Sequence, residues 1–193
     1  MPSLLRRIKN FKGFGVEAEL SVAEVAVEVQ SALNAAESSS VDVAPKRPRA
    51  ELSFNDRPFW ETRKSHFRLL LSLRFNLISV VEQVEAAYGL HPLLDPANPV
   101  LRLPARPETP GIRLDIAPEV VDASLRRLAE TTRLPGWSNL ADAVSAIHAF
   151  AEQAIDGDLA KRVTAVLAEN AYGTCKRLAT QSVSWPHEDL NAA

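Results

Sequence analysis

Prolines in the middle of the sequence separate two regions that can form helices. Residues 92–118, "PLLDPANPVLRLPARPETPGIRLDIAP", hold seven of the chain's 13 prolines. Each proline removes a backbone donor and disfavours helical geometry in the residue before it, so no regular helix fits this density. We therefore expect an extended loop with a short strand at Ile112 to Ile116, and helices on both sides of it.

A long amphipathic helix is predicted before the loop. It begins near Asn55 and ends at Tyr88, because Gly89 supplies a C-terminal stop. Its apolar residues follow the a/d pattern of a bundle seam, which Arg74 interrupts at one a position. The predicted seam consists of Trp60, Phe67, Leu70, Leu77, Val81, Val84 and Tyr88.

Three further helices are predicted after the loop: Pro118 to Thr132, Ser138 to Ile155 and Asp158 to Thr180. The turns between them are short, which makes successive helices antiparallel neighbours. The pattern predicts a mainly α fold, an antiparallel four-helix bundle over residues 55–182. The residues expected to face inward are Val121, Leu125, Leu128, Leu140, Val144, Ile147, Ala151, Ala154, Leu159, Val163, Val166, Leu167 and Leu178.

The N-terminal region is expected to form an appendage to this bundle. Residues 16–20, "VEAEL", alternate apolar and acidic side chains, which is typical of a short strand with one wet face. Ser21 and Glu24 form a capping box, so a helix is expected to begin there. Its apolar stripe is Val22, Val25, Val29 and Leu33.

The composition then divides the chain into four regions. Residues 1–36 form a basic tip, the short strand and the helix, and residues 37–54 form a flexible linker around "ESSSVDVAPKRPRAEL". The bundle follows at 55–182, and a tail at 183–193 ends the chain.

Charge and cysteine content limit the classes of function. The 22 basic and 24 acidic residues give a net charge of −2, so no global field favours nucleic acid or a membrane. The only cysteine, Cys175, excludes an intramolecular disulfide and fits a reducing compartment, so we expect a cytoplasmic protein. The most apolar run, Leu69 to Val81, is too short and too charged to span a bilayer, so no integral membrane span is expected.

Some residues could carry chemistry on the helix that begins at Ser138. His148, Glu152 and Asp156 are spaced four residues apart, and such a set can chelate a divalent metal. On a helical wheel, however, Glu152 and Asp156 rotate into the solvent, so we expect neither a metal nor another cofactor. Cys175 with His148 could form a nucleophile pair, but without a visible orienting group we expect an inert cysteine.

The long helix offers a basic ridge and one unusual arginine. Arg57, Lys64 and Arg68 share one side of the helix, which suits contact with the phosphates of RNA. Arg74 lies in the most apolar run, and a buried arginine requires a partner. The candidate partners are Glu82, Glu130 and Glu152, and Arg74 with His148 could line a pocket.

The order of parts resembles bacterial proteins with a HEPN-like helical bundle. The resemblance rests on "GFGVEAEL", "LSLRFNLISVVEQVEAAYGL" and "SLRRLAETTRLPGWSNLADAVSAIHAFAEQAIDG". In that family the end of the penultimate helix commonly reads Arg-Asn-x-x-x-His-Gly, part of an Arg-x(4–6)-His signature that active members use to cleave RNA without metal. In this chain Ala151 stands in place of the arginine, Glu152 in place of the asparagine and Asp156 in place of the histidine. The resemblance therefore implies the fold but not the nuclease activity.

Together these features predict a non-catalytic helical module for self-association, as a homodimer, or for binding another protein. The resemblance implies a bacterial defence or stress setting. A first alternative is an RNA-binding or RNA-cleaving protein that acts through the basic ridge. A second is a membrane-surface adaptor that uses the basic residues 1–12.

Overall fold

The computed structural model describes residues 16–38, 47–54, 65–91, 102–103, 113–114, 116–153 and 158–184. Within these residues the fold is mainly helical and has one continuous hydrophobic core. The five described helices are α1 (Val16–Glu37), α2 (His66–Ala87), α3 (Pro118–Thr132), α4 (Gly136–Gln153) and α5 (Asp158–Ser182), and the two strands are β1 (Arg102–Leu103) and β2 (Arg113–Leu114).

Helix α4 is the centre of the fold. It contacts α1, α3 and α5 extensively and α2 over a smaller area. A helix surrounded by others must be apolar on nearly all sides, and small residues let its neighbours approach closely. The sequence of α4 satisfies both conditions, because its buried residues are Trp137, Leu140, Ala141, Ala143, Val144, Ala146, Ile147, His148, Phe150 and Ala151.

Helix α1 corrects two predictions. The strand predicted at residues 16–20 is wrong, because those residues form the start of α1. The capping box is also wrong, since Ser21 lies inside this helix. Five alternating residues are too few to exclude a helix, and Val16 and Leu20 are also four residues apart.

Helix α1 is part of the packed structure. It contacts α4 and α5. Of the predicted apolar stripe, Val25, Val29 and Leu33 are buried, while the side chain of Val22 lies outside the described part of the chain. Backbone contact with α4 is so close that a Cβ at Gly136 would lie 2.4 Å from the carbonyl oxygen of Ala36. The N-terminal helix therefore packs into the same hydrophobic core as the other helices, where the sequence predicted an appendage.

The predicted long helix is shorter than expected. Ser65 has extended backbone angles and its hydroxyl accepts a hydrogen bond from the amide of Arg68, so Ser65 is the N-cap of α2. A continuous helix from residue 55 is therefore wrong. The predicted stop is confirmed: Gly89 has φ +70, and Leu90 donates its amide hydrogen to the carbonyl of Glu85.

The helices after the proline-rich loop match their predictions closely. Helix α3 has the predicted bounds, and α5 begins at the predicted Asp158. Helix α4 begins two residues earlier than predicted. In the loop itself β1 pairs antiparallel with β2, which lies within the strand predicted at Ile112 to Ile116.

Residues 47–54 contact the packed helices, although the sequence placed them in a flexible linker. Arg49 forms a parallel bridge with Ser184, and Leu52 is buried in the core. The side chain of Gln83 accepts a hydrogen bond from the amide of Ser53 at 2.7 Å and donates one to its carbonyl oxygen at 2.9 Å. These contacts attach the segment to the residues that follow α5, through Ser184, and to α2, through Gln83.

Candidate functional site

Arg74 and His148 are brought together inside the fold, as the sequence suggested for a possible pocket. Arg74 comes from the middle of α2 and His148 from α4, and both are 6% exposed. Arg74 donates hydrogen bonds to the carbonyl oxygens of Ile116, at 2.7 Å, and Leu70, at 3.4 Å. Ile116 immediately precedes α3, so this arginine joins α2 to the start of α3.

The electrostatics of His148 do not suit acid–base catalysis at neutral pH. Burial and, to a smaller degree, the positive charge of Arg74 lower the pKa of His148 from 6.5 to about 4. Its Nε2 atom is buried and has no hydrogen-bond partner among the described residues. The imidazole is therefore neutral at pH 7, a weak base, and closed off from substrate.

The positions that match the HEPN signature do not converge on this histidine. Ala151 is buried, whereas Glu152 is exposed at the end of α4. Asp156 lies outside the described residues. His148 and Glu152 therefore face different environments although they are four residues apart.

Neither a metal cluster nor a reactive thiol is seen in the part of the chain that is described. No group of three or more His, Cys, Asp or Glu side chains is placed there to hold a metal ion. Cys175 is fully buried, and burial raises the pKa of its thiol. Since the thiolate is the nucleophile, a thiol in this environment is inert.

The basic ridge is visible only in part. Arg68 is exposed on α2, while Arg57 and Lys64 lie outside the described residues. Phe67, predicted in the seam, is 46% exposed, so that prediction is wrong; Trp60 is also outside the described residues. Phe75, two turns later, is exposed as well, and these aromatic rings lie on the same helix as Arg68.

A second exposed apolar surface lies where α1 meets α5, and the sequence did not predict it. Val27 is 70% exposed, Val166 56% and Leu159 48%, with Val163 partly buried beside them. We call these four residues the α1–α5 patch. Leu159 and Val166 were expected to face inward, and this was wrong because the helical face toward the core lies further round α5, at Ala160, Thr164, Leu167, Ala168 and Ala171.

Hydrogen bonds across the seam fix the relative direction of the two helices. Asn170 donates to Gln30 at 2.6 Å, and Arg177 donates to Glu37. Each pair is separated by 140 residues, so α1 and α5 run parallel with this offset. By this offset Val27 on α1 lies level with residue 167 of α5, one residue from the level of Val166.

Two polar clusters that the sequence did not indicate stabilise the fold. Glu85 is 1% exposed and forms an ion pair with Arg127, whose Nε lies 2.9 Å from its carboxylate. Burial raises the pKa of Glu85, although the hydrogen bond and charge of Arg127 oppose that shift. At the same, C-terminal end of α2, Tyr88 donates to the carbonyl of Ser182, whose hydroxyl accepts from Trp137.

None of the helices in the described ranges combines the length and apolar character needed to cross a bilayer. Comparison of the sequence with protein-family models, with curated proteins and with solved structures finds no match.

Proposed function

We propose that this protein is a non-catalytic helical interaction module, which associates with itself or with another protein. The observation that carries the proposal is the α1–α5 patch, because valine and leucine exposed together on one surface are typical of an interaction site. The candidate catalytic groups support it indirectly. His148 is neutral and enclosed, and the thiol of Cys175 is inert.

The resemblance to HEPN-like bundles is part of the same proposal. The mainly helical fold supports it at a coarse level, although residues 16–20, expected as a strand, are helical. In this proposal the chain has kept a bundle suited to pairing and has lost the residues for RNA cleavage, which implies a supporting role in a bacterial defence or stress system.

The test is sedimentation velocity on the full chain from about 1 to about 100 µM. We expect the sedimentation coefficient to rise with concentration, and Val166→Glu to abolish the rise. Phe75→Glu is the matched control, since it places the same charge on an exposed apolar position of a different helix. If Val166→Glu associates as strongly as the unchanged protein, the patch is not an interaction site.

RNA binding is a second candidate, favoured by the exposure of Phe67 and Phe75 on the same helix as Arg68. Exposed rings can stack on bases while arginine contacts phosphate. The test uses end-labelled single-stranded RNA with a chelator, read for both cleavage and mobility shift. We expect the combined change of Arg57, Lys64 and Arg68 to Glu to weaken binding and reduce its salt dependence. If neither changes, the ridge is only a solvated face.

The membrane-surface alternative depends on residues 1–12, which lie outside the described residues. It predicts co-sedimentation with anionic vesicles that weakens as salt rises. Binding that ignores salt would count against it.

A further inference from the structure

Resting on the proposed function, we infer that the occupant of the α1–α5 patch is a second copy of this chain, related by a two-fold axis that runs along the α1–α5 seam. The evidence is the distribution of charge on the two sides of the patch. Glu24 and Glu28 lie on α1, and Arg162 lies on α5. The patch thus has an acidic border on one side and a cation on the other.

The level of these charges along the helices follows from the 140-residue offset. Glu24 is level with position 164 of α5, so Arg162 is displaced from it by two residues, or about 3 Å at about 1.5 Å per residue. The acidic residues of α5 are further away. Asp158 is about 9 Å from that level and Glu169 about 7.5 Å.

The helical positions place the charges outside the patch. Glu24 is three residues before Val27, and Arg162 is three residues after Leu159 and four before Val166. Each charged residue therefore adjoins an apolar residue of the patch on its own helix. Glu24 and Arg162 are both exposed, so both are available to a second molecule.

A two-fold axis parallel to these helices makes the surface complementary to itself. Such an axis keeps each residue at its own level but places α1 of one copy against α5 of the other. Glu24 then faces the partner subunit's Arg162, and the same contact occurs twice. The valines and Leu159 meet at the centre. An axis perpendicular to the helices would instead place α1 against α1 and bring the glutamates together, which is unfavourable.

The experiment is a charge-swap series on the full chain, measured by sedimentation equilibrium. Glu24→Arg alone and Arg162→Glu alone each create two like-charge contacts in the homodimer, so we expect the dimer dissociation constant to rise at least about tenfold. The double variant should recover to within about threefold of the unchanged protein. An equimolar mixture of the two single variants should form heterodimers more tightly than either variant forms homodimers. Thermal melts of both single variants should match that of the unchanged protein, since both positions are exposed.

The outcomes separate this inference from the proposed function. One outcome is that Val166→Glu prevents association, while the charge variants and their mixture have the same dimer dissociation constant as the unchanged protein. The patch is then an interaction site, and the two-fold arrangement is refuted. A protein that is monomeric at every concentration overturns the inference and restricts the proposed function to a different partner. Tight heterodimers from the mixed single variants would support both.

Discussion

The buried imidazole of His148 makes the stability of the fold depend on pH below neutrality. Its pKa falls from 6.5 to about 4 on folding, because the protonated form would be enclosed near Arg74. The unfolded chain therefore binds this proton more tightly than the folded chain. The stability associated with the neutral imidazole is fully present above pH 6.5, decreases as the pH falls below 6.5, and is lost completely below about pH 4.

The size of the effect follows from the same two values. Over the whole pH range the free energy of unfolding changes by about 3 kcal/mol, because each pKa unit of difference between the folded and unfolded chain corresponds to about 1.4 kcal/mol. Between pH 7.5 and pH 5 the loss is about 2 kcal/mol, which is a large part of the stability of an ordinary domain. Glu82 and Glu85 act in the opposite direction, because burial raises their pKa values and favours their protonated forms in the folded state.

Urea unfolding of the unchanged protein and of two variants at several pH values isolates the contribution of His148. Between pH 7.5 and pH 5 the free energy of unfolding of the unchanged protein should fall by about 2 kcal/mol more than that of His148→Leu, because the carboxylates contribute equally to both. His91→Gln is the control, since His91 is exposed at the end of the α2 segment. Equal losses in the unchanged protein and His148→Leu would refute the conclusion that this histidine is buried and neutral.

Two further predictions concern the packing between helices. Gly136→Ala should lower the free energy of unfolding in urea by about 1 to 3 kcal/mol, because the new methyl group would meet the backbone of Ala36. Gly173→Ala is the matched control. Its nearest contact is a side-chain atom at 3.6 Å, so it should raise the free energy of unfolding by up to about 1 kcal/mol. Arg127→Met leaves the carboxylate of Glu85 buried without its ion pair and should cost about 3 kcal/mol by the same measurement; a loss below about 1 kcal/mol would show that this pair is not a buried one.

The helices after the proline-rich loop could be predicted because local signals and packing agree there. Pro118 occupies the first turn of α3, and Val121, Leu125 and Leu128 are its buried face, so one pattern gave both the bounds and the orientation. The buried face of α5 was harder to predict because alanines and threonines dominate it. Valine and leucine are more hydrophobic than alanine and threonine, so the apolar pattern assigned Leu159 and Val166 to the core although they are exposed.

Contacts between distant residues account for what could not be predicted. The ion pair between Glu85 and Arg127 joins residues 42 apart, and nothing local distinguishes either from a surface charge. The packing of α1 on α4 depends on Gly136, which reads in the sequence as part of a turn. The central place of α4 had a signal in retrospect, since its alanines occur on every side of the helix.

The central position of α4 determines where function can lie. Because four helices surround it, its buried side chains, including His148, support the fold and are closed to ligands.

The surfaces left for recognition among the described residues are the outer faces of the other helices. Two of these expose apolar side chains: the α1–α5 patch, and α2 at Phe67 and Phe75. The first has aliphatic side chains bordered by opposite charges and suits a helical partner, while the second has aromatic rings on the same helix as Arg68 and suits nucleic acid. Val166→Glu and the ridge variants therefore test different partners, and each serves as the control for the other.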